Sequence, residues 1–151
     1  RLTVALSIDT AAAAKASFGT ARTMLKSIKD DEGRPLNLKG TLLVVPPALE
    51  DIANALMTND KLEDGKPNPY KGTAKVLVCG WLETDTEWHL LDTSKAVKPI
   101  IFQPRKKPVF VQQTDTSSDA VFMRKKFKFG AEARGAAGYG LWQMAVGSTG
   151  A

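Results

Sequence analysis

One cysteine, Cys79, and one histidine, His89, are all that 151 residues contain of these two reactive side chains. A lone thiol excludes an internal disulfide, and one thiol with one imidazole cannot supply a closed metal site. A hydrolytic triad would need His89 beside Cys79 or a serine, with an orienting acid, and no G-x-S-x-G elbow is present. Both residues sit in apolar patterns, "KVLVCGW" and "EWHLLD", where a packed side chain is the expected reading. Long hydrophobic runs are also missing. Charge or proline interrupts every stretch well short of the ~20 residues that cross a bilayer, so no membrane partner is expected.

Phosphate-binding glycines are absent where they would matter. "TLLVVPPALE", residues 41–50, runs a strand into a helix start, a common setting for anions. Pro46 and Pro47 stand where backbone N–H groups would be needed, and Glu50 and Asp51 would repel an anion. "GAAGYG", residues 135–140, has the glycines, but the "LWQMAVGS" that follows does not read as the helix a dinucleotide fingerprint requires. The acids at 30–32 and 63–64 lie in turn-rich, solvated stretches that would not tune a carboxyl for acid catalysis. The residues point to no catalysis, no cofactor, no metal and no small-molecule substrate.

What is present reads as α+β. Ala14, Phe18, Ala21, Leu25 and Ile28 recur at steps of four and three, the stripe of an amphipathic helix that Asp9 or Thr10 can cap. "DDEGRP" ends it. Residues 41–45 read as a fully buried strand, followed by a short helix whose inner face is Leu49, Ile52, Ala53 and Leu56. Residues 59–72 read as a surface loop. "AKVLVCGWLE" reads as a buried strand, and in "EWHLLD" Trp88 and Leu90 face one way, His89 and Leu91 the other. "KPIIFQ" and "KPVFVQQ" read as short strands joined by the basic turn Arg105-Lys106-Lys107. "TDTSSD" reads as a polar turn. Residues 121–134 alternate as one long strand, with Met123, Phe127, Phe129, Ala131 and Ala133 on a dry face and Arg124, Lys126, Lys128, Glu132 and Arg134 on a wet one. "GAAGYG" then reads as a turn and "LWQMAVGS" as a final strand.

Charge is unevenly placed. Residues 1–92 carry 11 basic and 13 acidic groups, whereas residues 93–151 carry 10 basic and 3 acidic. A field of that sign favours an anionic partner or an acidic neighbouring surface. One reading is a nucleic-acid-binding β module using the basic strands at 105–107 and 124–134. The alternation opposes it, because a stacking platform needs aromatic and basic groups on the same face.

Four stretches in order, "TLLVVPPALE", "WHLLDTSKAVKPIIFQPRKKPVFV", "DAVFMRKKFKFGAEARG" and "GYGLWQMAVGS", resemble the C-terminal half of the major head (capsid) subunit of Mu-type bacteriophages and prophages. "ALSIDTAAAAKASFGTARTML" and "DDEGRPLNLKG" resemble that family too. The resemblance implies the Hong Kong 97 type phage capsid fold, with an axial-type α+β domain over 9–98 and returning peripheral-domain strands over 99–151. It also implies an N-terminal arm, an extended loop and a spine helix ahead of this point, none of which is found here, so a fragment is expected. The implied partners are copies of itself in capsomers, a scaffold or protease during assembly, and packaged DNA. The implied location is the virion head, or the bacterial cytoplasm during assembly. Arg105, Lys106, Lys107, Arg124, Lys126, Lys128 and Arg134 are then the candidate intersubunit or DNA-facing residues.

Overall fold

Four short strands and three α-helices, with short π and 3-10 turns, build the first of two compact units, Arg1–Pro99 with Tyr139–Ala151; the second is Ile100–Gly138. The computed structural model describes residues 1–115, 117 and 119–150. The architecture is α+β, as the residue patterns imply.

The chain begins extended and buries Leu6 and Ile8. It then enters helix α1 (Ala11–Ala14), a π-helical turn (Lys15–Gly19) and helix α2 (Thr20–Ser27), one continuous rod. Of the two candidate caps, Thr10 does the work: its side chain accepts the N–H of Ala13 at 3.0 Å. The predicted stripe is the buried one, with Ala14, Phe18, Ala21 and Leu25 all at 0% exposure. The π turn, which the periodicity does not predict, also buries Ser17, whose hydroxyl donates to the Ala13 carbonyl at 2.9 Å. "DDEGRP" forms a tight turn in which Asp30 accepts the N–H groups of Glu32 and Arg34 and Gly33 takes φ 81°.

Strand β1 (Leu42–Val45) meets Pro46 and turns through Pro47–Leu49 into helix α3 (Glu50–Thr58). Pro47 stands at the first helical position and Glu50 and Asp51 at the positive end of α3. The corner is a joint. Strand β2 (Lys75–Val78) then pairs parallel to β1, with α3 inside the crossover, and strand β3 (Trp88–Leu91) pairs antiparallel to β1 on its other side. After the excursion through the second unit, strand β6 (Ala145–Ser148) pairs antiparallel to β3. The order is β2-β1-β3-β6, and Leu2 extends the β6 edge through a parallel bridge to Ser148. Residues 139–150 of the segment 99–151 thus belong to the first unit.

One face of this sheet carries the core. Leu43, Val45, Trp88, Leu90 and Val146 pack with Phe18, Leu25, Ala53 and Leu56 from the helices. The other face is left partly open, which corrects the expectation of strands covered on both sides. In β1 only Leu43 and Val45 are buried, and β2 is an edge strand with Leu77 at 49% and Val78 at 36% exposure. "AKVLVCGWLE" is therefore neither a long strand nor a buried one. Helices pack on one side alone, so only alternate residues find an apolar neighbour. "EWHLLD" alternates as read, with Trp88 and Leu90 fully buried.

The second unit departs further from the pattern. "KPIIFQ" and "KPVFVQQ" are a single strand, β4 (Ile100–Gln113), with Arg105-Lys106-Lys107 in its middle. Residues 121–124, read as strand, close helix α4 (Asp119–Arg124); Lys125 takes φ 48°, and strand β5 (Lys128–Tyr139) begins only afterwards. "GAAGYG" is mostly the end of β5, not a turn. "LWQMAVGS" is a 3-10 turn (Trp142–Met144) leading into β6. The polar stretch "TDTSSD" lies partly outside the described residues.

Candidate assembly surface

β4 and β5 pair only with each other, in a two-stranded ribbon. Lys106 reaches Glu132, the rings of Phe110 and Phe129 stack with centroids 6.0 Å apart, and the Phe102 ring lies against Gly135. These contacts run in opposite directions along the two strands, as in an antiparallel hairpin. Every residue of both strands is exposed. Phe102, Phe110 and Phe129 each present more than 60% of their surface to water. The expected dry face is apolar in composition but covered by nothing within its own unit.

The seven basic candidates all fall in this unit and are all exposed. Arg105, Lys106 and Lys107 project from β4, Arg124 ends α4, Lys126 lies in the link to β5, Lys128 opens β5 and Arg134 sits within it. The ribbon holds five of them, Arg105, Lys106, Lys107, Lys128 and Arg134, on both strand faces, while Arg124 and Lys126 lie just before β5. Glu132 is their internal counter-ion: it pairs with Lys106 and lies 3.7 Å from the Nε of Arg134. Residues 100–138 hold eight basic groups against three acidic ones, so most of the positive charge stays uncompensated.

His89 and Cys79 do not meet. His89 lies opposite Val44 on one side of β1, whereas Cys79 hydrogen-bonds Val45 from the other side. Two ladder spacings, about 9–10 Å, separate those rows. The His89 Nε2 is instead 3.3 Å from Glu87, and its ring covers Gly147, where a Cβ would stand 2.7 Å from Nδ1. No cluster of three or more metal-ligating side chains occurs among the described residues.

Two carboxylates have structural partners: Asp64, which the sequence reading places in a solvated stretch, and Asp92, which it does not single out. Asp64 accepts the N–H groups of Ala11 (2.9 Å) and Lys66 (3.1 Å), which together with the Lys66 ammonium hold its carboxyl below the ordinary aspartate value. Asp92 is fully buried. Burial pushes its carboxyl up, yet bonds from the Ser94 hydroxyl (2.6 Å), the Lys39 N–H (2.7 Å) and the Ser94 N–H (2.8 Å), with the Lys95 charge, bring the net below the usual value. Both bridge segments far apart in the chain, a signal that local patterning does not carry.

A family model described as the Mu-like prophage major head subunit gpT matches residues 7–82 and 83–151. The major capsid protein of Escherichia phage Mu is 59% identical over 59 residues, covering 39% of this chain and 19% of that protein. The Mu-like prophage FluMu major head subunit of Haemophilus influenzae is 50% identical over 58 residues, again 19% of its length. A chain from the procapsid of bacteriophage JBD30 aligns with 68% of this chain and 37% of its own, at 31% identity and a TM-score of 0.36. The alignments thus span about a fifth of the length of these curated relatives.

Proposed function

The chain belongs to the Mu-like prophage major head subunit family, and from that premise we propose that it is the shell-building part of a major capsid subunit, which acts by burying its surface against copies of itself. The observation that carries the reading is the β4–β5 ribbon. A two-stranded ribbon is at best marginally stable in water, and large apolar surface left open marks a place where another chain sits. Phe102, Phe110 and Phe129 supply that surface, and the seven basic residues of the same unit set the approach of a neighbour more than the affinity.

In this reading the fold is of the Hong Kong 97 type, with an axial-type domain over 9–98 that takes β6 back into its sheet, and with the returning peripheral strands of the segment 99–151 confined to 100–138. Family membership supports it, as does a mixed sheet under helices in the first unit. Family membership supports a structural role, and the one thiol and one imidazole, on opposite sides of β1, do not form a nucleophile–base pair. The protein's place is the phage head, after assembly in the bacterial cytoplasm. Acidic groups on a neighbour would complement the ribbon, with Asp31 and Glu63 better placed than Asp64 and Asp30, whose oxygens already accept backbone N–H groups of their own chain.

The test is assembly of the full-length subunit carrying Lys126→Glu with Lys128→Glu, quantified by sedimentation and electron microscopy. The expected result is a lower yield of particles. Normal yield and normal particles would remove the electrostatic part of the reading, and a ribbon-deleted subunit that still assembles would remove the rest. Packaged-DNA contact is checked on the same variants by a low-salt mobility shift, because phosphate contacts weaken steeply with salt.

A further inference from the structure

The first unit carries two surfaces of opposite charge with little of its own chain against them. One is the turn that follows β2. Trp81 is 93% exposed, and Leu77 and Val78 lie open beside it on the edge strand. Between Cys79 and Glu87 the chain holds three acids and no base. Glu87 is turned toward His89, while Glu83 and Asp85 are exposed and enter no ion pair among the described residues. A nearly bare indole in an acidic turn has the composition of an interface anchor.

The other surface is a groove of about 400 Å³ along the π turn and α2, lined by Lys15, Gly19, Arg22, Thr23, Lys26 and Tyr70. Tyr70 stands edge-on to the buried Phe18 ring at 5.4 Å, and the Arg22 guanidinium lies 5.9 Å from the centroids of both. Gly19 allows that packing, because a Cβ there would come within 2.4 Å of the tyrosine hydroxyl. Residues 11–27 contain three bases and no acid. None of the three enters an ion pair among the described residues. Arg22 is held beside two aromatic rings and is partly open to solvent, and a guanidinium is the cation best suited to stack on an indole.

Tyr70 precedes β2 and Trp81 follows it, so the groove and the turn lie toward opposite ends of that strand and one copy does not fill its own groove. Two different, complementary patches make a heterologous contact, which propagates from copy to copy and closes a ring where the rotation allows. We infer that the Trp81 turn of one copy docks in the helix groove of the next, with the indole on Arg22 and with Glu83 and Asp85 facing Lys15 and Lys26. This rests on the self-association proposed above, but it names a surface separate from the ribbon and made wholly by the first unit.

The experiment is sedimentation velocity of the chain over a wide concentration range, with Trp81→Ala, with Lys15→Glu/Lys26→Glu, and with an equimolar mixture of the two variants. Each variant alone is expected to associate about thirty-fold or more weakly, the loss typical of an interface anchor. The mixture is expected to give 1:1 dimers that grow no further, because one copy keeps an intact turn and the other an intact groove. All the replaced side chains are exposed, so circular dichroism and melting should match the parent chain and serve as the folding control. Unchanged association of both variants overturns this contact; if Lys126→Glu/Lys128→Glu still lowers association, the ribbon reading survives. Loss in each variant without dimers in the mixture overturns the head-to-tail arrangement. A parent chain that stays monomeric throughout overturns both readings.

Discussion

Asp64 accepts the backbone N–H of Ala11 across 53 residues of sequence, tying the loop after α3 to the first turn of the helix before it. Thr10 serves the N–H of Ala13, so two of the four unpaired donors at that helix start are satisfied by side chains. The same loop buries Leu62, and the Asn68 amide donates to the carbonyls of Leu56 and Asn59. A segment with the composition of a free surface loop is therefore strapped down. Asp64→Ala is expected to raise hydrogen exchange at residues 10–14 and across 59–72 together, with a modest fall in melting temperature. If 59–72 loosens while the helix start stays protected, the strap is not what holds that end of the helix.

Acid should weaken the first unit through two carboxylates. Asp64 and Asp92 both lie below the ordinary value of about 3.9 in the folded chain, so the unfolded chain takes up their protons first. Their contribution is complete above that ordinary value and is lost as pH falls through the lower folded values. Urea midpoints are expected to hold steady from neutral pH to about 5 and to drop below about 4. Asp92→Asn should cost about 1–3 kcal/mol at neutral pH, since a buried cluster of donors loses its charged acceptor, and should flatten the acid slope. An acid slope identical to the parent chain would show that Asp92 is not among the groups responsible.

Gly147 faces His89 across the β3–β6 ladder, and its missing side chain makes room for the imidazole. Gly147→Ala places a methyl where the ring now lies and should cost about 1–3 kcal/mol through overpacking. Adding His89→Ala should return most of that loss, a coupling that a double-mutant cycle in urea reads directly. Additive effects would mean that the strain lies in the backbone and not in the ring.

Legibility followed burial. The stripe of Ala14, Phe18, Ala21 and Leu25, the proline corner after Val45 and the alternation of Trp88 to Leu91 were all readable, because each packs on one apolar core and period reports the inward face. β2 was misread because "KVLV" is equally apolar at the centre or the edge of a sheet, and only the strand order β2-β1-β3-β6 decides which. In the ribbon nothing is buried, so no periodicity constrains the elements. Prolines 104 and 108 flank Arg105–Lys107 like the ends of a turn, yet an exposed ribbon accommodates both within one strand. Residues 121–129 alternate by composition, but helix α4 and the left-handed Lys125 interrupt them before β5. The basic residues were legible as charge; the placing of five of the seven on one ribbon, and the pairing of Lys106 with Glu132, were not.

The stacked pair Phe110 and Phe129 gives the ribbon a measurable register. Their rings lie 6.0 Å apart and 16° from parallel, and a pair of that kind contributes about 0.5–1.5 kcal/mol beyond its area. The ribbon has no core within its own unit, so that increment is a large part of what orders it. Phe110→Ala and Phe129→Ala should each speed hydrogen exchange along both strands, and the double replacement should add little to either alone. In the full-length subunit each should also reduce assembly, because a ribbon of uncertain register offers a neighbour no fixed surface. Exchange that changes only at the replaced residue, with assembly intact, would mean the rings stack without organising the strands, and the apolar anchor of the assembly surface would have to be sought at Phe102.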